Sequence, residues 1–250
     1  LNLFRDRNFA LANVLVAFLG VGLYGAMLVL PLLMQNLMNY PVLTAGLAMA
    51  PRGVSGIVGM IVAGRLINHF SPRSLIITGT LLCLAGAKGC LYYNINMSIW
   101  WIIWPLLLQG FGVSIAFVAL STVAFETIAP VMRAEAAGLF SLLRTIGGSI
   151  GISLVITVVT QDGQISWNQI GGFIQPFNPA VYDYLRPLHL SPTSPLGSAV
   201  LGQALLAQSQ MVAYLAGFVF IFWSFVIMIP LAFLIKKTHI IGTRHKVMME

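Results

Sequence analysis

Six long apolar runs constrain the fold of this chain more than any other feature of its sequence. They cover residues 9–38, 45–67, 75–93, 99–125, 138–159 and 211–235. A helix needs roughly 20 mainly apolar residues to cross a hydrocarbon layer about 30 Å thick, because each residue rises about 1.5 Å. Backbone that faces lipid must satisfy its own polar groups, so such runs predict helices. Only 8% of the 250 residues are charged, which is too little to cover a water-facing surface. The sequence therefore predicts an all-α membrane protein with six transmembrane helices.

One sequence pattern occurs twice, and the two copies are 92 positions apart. The matched positions are Gly46 with Gly138, Arg52 with Arg144, Gly56 with Gly148, and Gly59 with Gly151. Two further apolar runs lie between the starts of the copies, so the copies begin on opposite faces of the membrane if each run crosses it. This arrangement predicts a 3+3 inverted repeat, which is typical of transporters, and glycines that let helices approach closely. The alternative is chance similarity between two helices rich in glycine and alanine.

Basic residues are expected on one side of the membrane. They are Arg5, Arg7, Arg65, Arg73, Arg133, Lys236, Lys237, Arg244 and Lys246. The opposite side has two uncharged turns, at 39–44 and 94–98, and a long loop, 160–210, whose only Lys or Arg is Arg186. Because cytoplasmic loops carry an excess of Lys and Arg, both termini and the tail 236–250 are predicted to be cytoplasmic, and loop 160–210 periplasmic. The net charge of +7 reflects this asymmetry. Its spread over short turns argues against a nucleic-acid surface.

Three motifs resemble the C-terminal half of the fourteen-helix drug:proton antiporters of the EmrB type, a branch of the major facilitator superfamily. They are AGLAMAPRG at 45–53, AGRLIN at 63–68 and AAGLFSLLRTIGGSIG at 136–151. The resemblance implies export of hydrophobic or amphipathic drugs in exchange for protons by alternating access. It also implies a bacterial cytoplasmic (inner) membrane location, an N-terminal transporter half, and a periplasmic adaptor and outer-membrane channel as partners. The chain starts with Leu1, which suggests that sequence upstream is absent.

The superfamily has a loop signature after the second helix, which corresponds here to Gly64, Arg65, Asn68 and Arg73. The family usually carries an aspartate where this chain has Asn68. An aspartate can cap a helix and pair with an arginine, whereas asparagine can only hydrogen-bond. The resemblance therefore implies a weakened latch in which Arg73 and Arg133 are the nearby partners of Asn68.

Three cations and one acid are candidates for gating or coupling. Arg52 and Arg144 are each expected about two turns inside the membrane, where a guanidinium costs at least about 2.5 kcal/mol and must have protein or water around it. Gating contacts and simple snorkelling are both open for them. Lys88 lies deeper along the third helix. Glu126 either titrates, because a low dielectric raises the pKa of a carboxyl group, or forms an ion pair with Arg133 or Arg144.

A polar stripe marks the first helix as a candidate for the substrate path. Asn13, Tyr24 and Gln35 recur every 11 residues, which is three helical turns. Polar groups facing lipid would be unsatisfied, so this stripe should face a cavity or another helix. The resemblance implies that the fourth helix lines the same path. The polar and aromatic residues expected opposite the stripe are Gln109, Phe117 and Ser121. An interhelical hydrogen-bonding role for these residues remains open.

Other classes of function find no support in the sequence. Cys83 and Cys90 share one face of the third helix and are interpreted as small packing residues. No metal-ligand spacing, cofactor motif or arrangement of nucleophile and base appears, so an enzyme is not predicted. The alternative to a transporter is a truncated, non-transporting remnant or a regulatory half-transporter. Membrane lipid is expected around either.

Overall fold

The structure, a computed structural model, describes residues 4, 6–126, 128–175 and 177–235. Within these ranges every regular element is a helix. The predicted cytoplasmic tail, 236–250, lies outside the described residues, as does Arg5.

Seven α-helices follow one another along the described residues. They are α1 (Arg7–Leu32), α2 (Val42–Leu66), α3 (Pro72–Cys90), α4 (Ile99–Glu126), α5 (Arg133–Gly171), α6 (Pro179–Leu185) and α7 (Pro195–Phe233). A π-helical turn, Leu33–Leu37, continues α1. Helices α1, α2, α4, α5 and α7 are long and apolar enough to cross a membrane. Helix α3 has 19 residues, including Arg73 and Lys88, and is less apolar, but it packs against both α4 and α7. The predicted all-α membrane fold is confirmed.

Local sequence explains where several helices begin. The carboxylate of Asp6 accepts hydrogen bonds from the backbone N–H groups of Asn8 and Phe9, at 2.8 and 3.3 Å, and so caps α1. Ser71 caps α3 and Ser194 caps α7, and each is followed by a proline. A hydroxyl at the cap satisfies a free N–H group, and proline at the first position lacks the N–H that would otherwise be unpaired.

Helices α5 and α7 are longer than their apolar runs. Each has 39 residues, or about 58 Å, which exceeds the roughly 30 Å of a hydrocarbon core. Helix α5 continues past the predicted boundary at Val159 to Gly171, so the first part of the segment expected to be loop 160–210 is helical. The sequence pattern becomes helical again from about residue 197, which predicts that the sixth helix begins outside the membrane, and α7 does begin early, at Pro195. Hydropathy falls after Val159, but no proline interrupts the helix before the Gly171-Gly172 pair. The helix therefore extends beyond the end of its apolar run.

The two copies of the sequence repeat form equivalent close helix crossings in the structure. Helix α1 packs along α5, and α2 packs along α4. A Cβ atom on Gly20 of α1 would overlap the main-chain carbonyl of Arg144 in α5. In the same way, a Cβ atom on Gly110 of α4 would overlap the carbonyl of Arg52 in α2. The two matched arginines thus present the same backbone atom to a glycine of the crossing helix, and these two glycines, Gly20 and Gly110, are 90 positions apart.

The neighbouring contacts follow the same rule. A Cβ atom on Gly59 would lie 2.9 Å from the carbonyl oxygen of Phe111, and one on Gly151 would lie 2.9 Å from that of Val21. Substitution at either position must displace backbone. The predicted 3+3 inverted repeat is therefore present, with α1 related to α4 and α2 to α5.

The repeat is imperfect where the third helices of the two units pack. Helix α5 packs along α7 over a long interface, whereas the corresponding helices α2 and α3 barely touch. The extensions of α5 and α7 beyond their apolar runs supply part of this additional interface. As a result α2 is the least buried of the long helices, with 17% of its apolar window inside the bundle.

Basic side chains lie at one end of the bundle, around the end of α7. A guanidinium N–H of Arg7 donates to the carbonyl of Leu234 at 3.5 Å. The guanidinium of Arg73 lies 5.2 Å from the centre of the Phe233 ring. We call this end, where α1, α3 and α5 start and α2, α4 and α7 end, the basic end. The other is the opposite end.

Candidate functional site

The polar stripe of α1 is directed mainly at other helices. Asn13 is buried, and its side-chain N–H group donates to the carbonyl of Phe9 at 2.9 Å, while its side-chain oxygen has no hydrogen-bond partner. Tyr24 is half-buried and its ring packs on Gly148 of α5. Gln35 is half-buried within the π-helical turn. Of the three, Asn13 alone leaves a buried polar atom unsatisfied.

Gln109 and Ser121 of α4, which were expected opposite the polar stripe of α1, form their contacts with other groups. Gln109 is buried and its side-chain N–H group contacts the sulfur of Cys90 in α3 at 3.7 Å. A Cβ atom on Gly86 of α3 would lie 2.8 Å from the Gln109 side chain, so the glycine makes room for it. Ser121 donates to the carbonyl of Val118 within its own helix at 2.8 Å. Tyr24 thus packs on α5, whereas Gln109 packs on α3.

Four buried residues from α3, the turn after it and α4 form a cluster that the sequence did not reveal. We call Cys83, Cys90, Tyr93 and Gln109 the thiol cluster. The thiol of Cys90 contacts the hydroxyl of Tyr93 at 3.4 Å, and that hydroxyl donates to the carbonyl of Ile102 at 3.3 Å. The thiol of Cys83 lies 3.9 Å from the backbone carbonyl of Gln109. Cys90 and Tyr93 are three residues apart, which is the one local spacing that could have indicated the contact.

Arg52 of α2 directs its guanidinium toward the thiol cluster. The thiols of Cys83 and Cys90 and the hydroxyl of Tyr93 interact electrostatically with its charge. One terminal nitrogen of the guanidinium is fully buried and has no hydrogen-bond partner. Burying an ionised group without a counter-charge is costly, since a low dielectric no longer solvates it. Arg52 is thus a cation without an anion in the part of the chain that the structure describes.

Arg144, the repeat partner of Arg52, is accommodated differently. Its guanidinium lies 5.3 Å from the centre of the Phe117 ring, an arrangement in which the ring face attracts the cation. Its Nε atom is buried and has no hydrogen-bond partner. Glu126 is exposed at the end of α4. Within the described residues Glu126 pairs with neither Arg133 nor Arg144, since Arg133 donates to the carbonyl of Ile128 at 3.3 Å.

The remaining candidates lie on the surface of the bundle. Lys88 is exposed on α3 and Asn68 is exposed after α2. Arg73 stacks on Phe233 and Arg133 bonds to a backbone carbonyl, so neither is the partner of Asn68 that the sequence predicts. A ring nitrogen of His69 lies 3.2 Å from the carbonyl of Arg65, and this local contact closes the turn. Gly64 has open space around it.

A groove between the extended parts of α5 and α7 was also missed by the sequence reasoning. Two cavities of about 490 and 530 Å³ meet at Trp167 and Asn168. The first continues toward Tyr214 and the second toward Leu201. The sequence predicted a loop at residues 160–171, and the groove forms only because these residues are helical. It was therefore not predicted.

A bundle of two inverted three-helix units is an architecture that many membrane transporters share. The family model of the Major Facilitator Superfamily matches residues 1–152, more than half of the chain. The chain belongs to this superfamily.

Several of the proteins to which the chain is similar are named for multidrug export or resistance. The chain is 29% identical over 199 residues to the multidrug export protein EmrB of Escherichia coli K12, covering 76% of this chain and 38% of that protein. It is 28% identical over 162 residues to the multidrug resistance protein B homolog of Mycobacterium tuberculosis H37Rv, covering 64% and 30%. It is 28% identical over 243 residues to the fatty acid resistance protein FarB of Neisseria gonorrhoeae, covering 94% and 47%. The chain thus spans less than half the length of these relatives.

Proposed function

We propose that this chain is a six-helix unit of a secondary transporter that exports hydrophobic or amphipathic drugs in exchange for protons. The observation that carries the proposal is the pair of glycine crossings at Gly20 and Gly110, which repeats one helix contact in inverted orientation. Inverted units of this kind work by alternating access, in which two units rock about a site between them. The relatives named for multidrug export support the drug as cargo.

The unit would work with a second six-helix unit. Helix α2 leaves most of its apolar surface uncovered, and so does α5, with 22% of its window buried. Apolar helix faces in a membrane protein pack against lipid or other helices. The second unit would pack against these uncovered faces of α2 and α5. The relatives, which are more than twice as long as the match, have the length for it.

The substrate path would run along α1 and α4. Its candidate contacts are Asn13, Tyr24, Gln35, Gln109, Phe117 and Ser121, and the candidates for gating or coupling are Arg52, Arg144, Lys88 and Glu126. Asn13 supports this assignment best, because its side-chain oxygen is buried without a partner. Arg144 faces Phe117 of α4 and would couple movement of α5 to that helix.

The basic end would face the cytoplasm of a bacterium and the opposite end the periplasm. Lys and Arg concentrate in cytoplasmic turns, and Arg65, Arg73 and Arg133 all lie at the basic end. On the periplasmic side, the extensions of α5 and α7 would stand above the membrane and contact a periplasmic adaptor, itself joined to an outer-membrane channel.

An efflux assay tests the transport reaction. Cells that express the protein from its own reading frame are loaded with ethidium, energised, and followed by fluorescence. We expect efflux that stops when the proton gradient is collapsed, because antiport draws its energy from that gradient. Efflux that continues with ATP alone would exclude a secondary antiporter. Absence of efflux from cells that make the protein would exclude drug export and favour a non-transporting role.

A further inference from the structure

We infer that the groove between the extended parts of α5 and α7 binds a neutral saccharide. The groove lies outside the path proposed along α1 and α4, so this inference goes beyond the proposed function. Its two cavities, of about 490 and 530 Å³, meet at Trp167 and Asn168. Each cavity has a volume within the range of roughly 300–1,000 Å³ that is typical of small-molecule sites.

The lining of the groove is uncharged. None of the residues that line either cavity is Asp, Glu, Lys, Arg or His. The polar side chains in the lining are amides and hydroxyls, among them Gln164, Asn168, Gln210 and Tyr214. An ion that entered would lose water without gaining a counter-charge, which is unfavourable. The groove therefore suits a neutral ligand better than a carboxylate or a cation.

Several of these polar groups have no partner within the protein. The side-chain amides of Gln164, Asn168 and Gln210 form no hydrogen bond with any residue that the structure describes. Tyr214 is only 7% exposed, and its hydroxyl also has no partner in the described ranges. A nearly buried hydroxyl without a hydrogen bond is unfavourable. Because Tyr214 lines the first cavity, a ligand with hydroxyl groups in that cavity would supply the bond.

The unpaired groups match the chemistry of a sugar ring. Each sugar hydroxyl both donates and accepts hydrogen bonds, and an amide offers a donor and an acceptor to it. The C–H groups on one face of a sugar ring pack against the negative face of an aromatic ring. Trp167 is 40% exposed at the point where the two cavities meet, so its indole is available for this contact. An apolar drug would leave the amides unpaired.

The groove starts where the apolar runs end. Val159 is the last residue of the apolar run of α5, Tyr214 lies near the start of that of α7, and both line the first cavity. From there the groove passes Trp167 and continues to Leu201. Gln164 of the first cavity is exposed. This position gives a neutral saccharide two sources, a free oligosaccharide in water and the sugar headgroup of a membrane lipid.

Binding of radiolabelled maltotriose tests the inference. The protein from its own reading frame is purified into phosphatidylcholine nanodiscs, and binding is measured by equilibrium dialysis. We expect saturable binding that per-O-methylated maltotriose competes for at least twentyfold less well than maltotriose, because methylation removes the hydroxyl donors. The measurement is repeated in nanodiscs that also contain diglucosyldiacylglycerol. Displacement of maltotriose by this lipid identifies the headgroup as a ligand, and unchanged binding identifies the free saccharide.

Two pairs of variants assign the binding to the groove. Tyr214→Phe removes one hydroxyl and keeps the ring, and we expect at least fivefold weaker binding. Its matched control is Tyr92→Phe, at a tyrosine that is exposed after α3 and should leave binding unchanged. Gly163→Leu should abolish binding by filling the first cavity, since the atom nearest to its Cβ position is the Cβ of Ala213 at 3.6 Å. Gly138→Leu adds the same side chain to α5 where there is open space, and should bind normally.

Three results would overturn the inference. They are the absence of saturable maltotriose binding, binding that Gly163→Leu leaves unchanged, and an equal loss of binding in Tyr214→Phe and Tyr92→Phe. If Gly163→Leu does not fold, the comparison of Tyr214→Phe with Tyr92→Phe decides, and equal affinities then contradict the site. Failure of the proposed function is distinct, because it would appear as a lack of proton-dependent ethidium efflux, which the dialysis does not measure.

Discussion

At the scale of single residues, two of the three matched glycine pairs of the repeat differ in what surrounds them. Gly59 and Gly151 lie against backbone of the crossing helix, while Gly46 and Gly138 have open space around the position of a Cβ. The sequence pattern treats all four alike. The structure therefore distinguishes glycines that close helix packing requires from glycines that have room for a larger side chain.

Gly151→Leu should destabilise the bundle, and Gly138→Leu should not. A leucine at Gly151 must displace the backbone of Val21, and overpacking of this kind costs about 1–3 kcal/mol or more. We expect a lower thermal unfolding midpoint and efflux close to background for Gly151→Leu. Gly138→Leu lies 13 positions earlier in α5 and serves as the control, with efflux near that of the unsubstituted protein. Equal behaviour of the two variants would contradict a packing role for the crossing.

Asn13→Leu should affect the stability of the protein and its transport activity differently. The side-chain oxygen of Asn13 is buried without a partner, and an unsatisfied buried polar atom costs about 1–3 kcal/mol. Replacing the amide by an apolar side chain of similar size removes this cost, so we expect an unfolding midpoint at or above that of the unsubstituted protein. If Asn13 contacts substrate or protons, efflux falls in the same variant. A stable variant with full efflux would remove Asn13 from the substrate path.

At the scale of whole helices, sequence and structure agree on existence and disagree on length and direction. Apolar runs were sufficient to predict the six long helices, because hydropathy is read directly from each stretch of sequence. Hydropathy reports burial in lipid, so it could not predict that α5 continues to Gly171. The direction of Gln109 was equally beyond the sequence, because it depends on the space that Gly86 leaves in another helix.

The extension of α5 should be accessible to water from outside the cell. Gln169 is exposed on this extension, and Ile150 is exposed on the part of α5 inside the apolar run. We expect Gln169→Cys to react with a membrane-impermeant maleimide at least tenfold faster than Ile150→Cys, since lipid covers the second position. Cys83 and Cys90 are buried and should give a low background. Similar rates at the two positions would place the extension within the membrane.

At the scale of the whole molecule, the distribution of charge and the helix order give one orientation. Arg7 and Arg73 contact Leu234 and Phe233 at the end of α7, so the basic starts of α1 and α3 meet the end of α7 at one end of the bundle. An even number of crossings brings the chain back to the side on which it started.

Reporter fusions test this orientation. Alkaline phosphatase, which is active only in the periplasm, is inserted before Asn178, and green fluorescent protein is fused after Glu250. We expect an active phosphatase and a fluorescent C-terminal fusion, because both follow from a cytoplasmic basic end. The matched control inserts phosphatase after Asn68 and should be inactive. The reverse pattern would show that the chain is inserted upside down relative to the prediction.

The backbone contacts at Gly20 and Gly110 have a mechanical consequence. A crossing made by main-chain atoms against glycine has few interlocking side chains, so one helix can rock over the other about the contact point. Such a rocking movement spreads the two helices at one end while it draws them together at the other. The two pivots are inverted copies of each other, so spreading at one of them can accompany closing at the other. A bundle built in this way needs no separate hinge segment to exchange an opening on one face for an opening on the other.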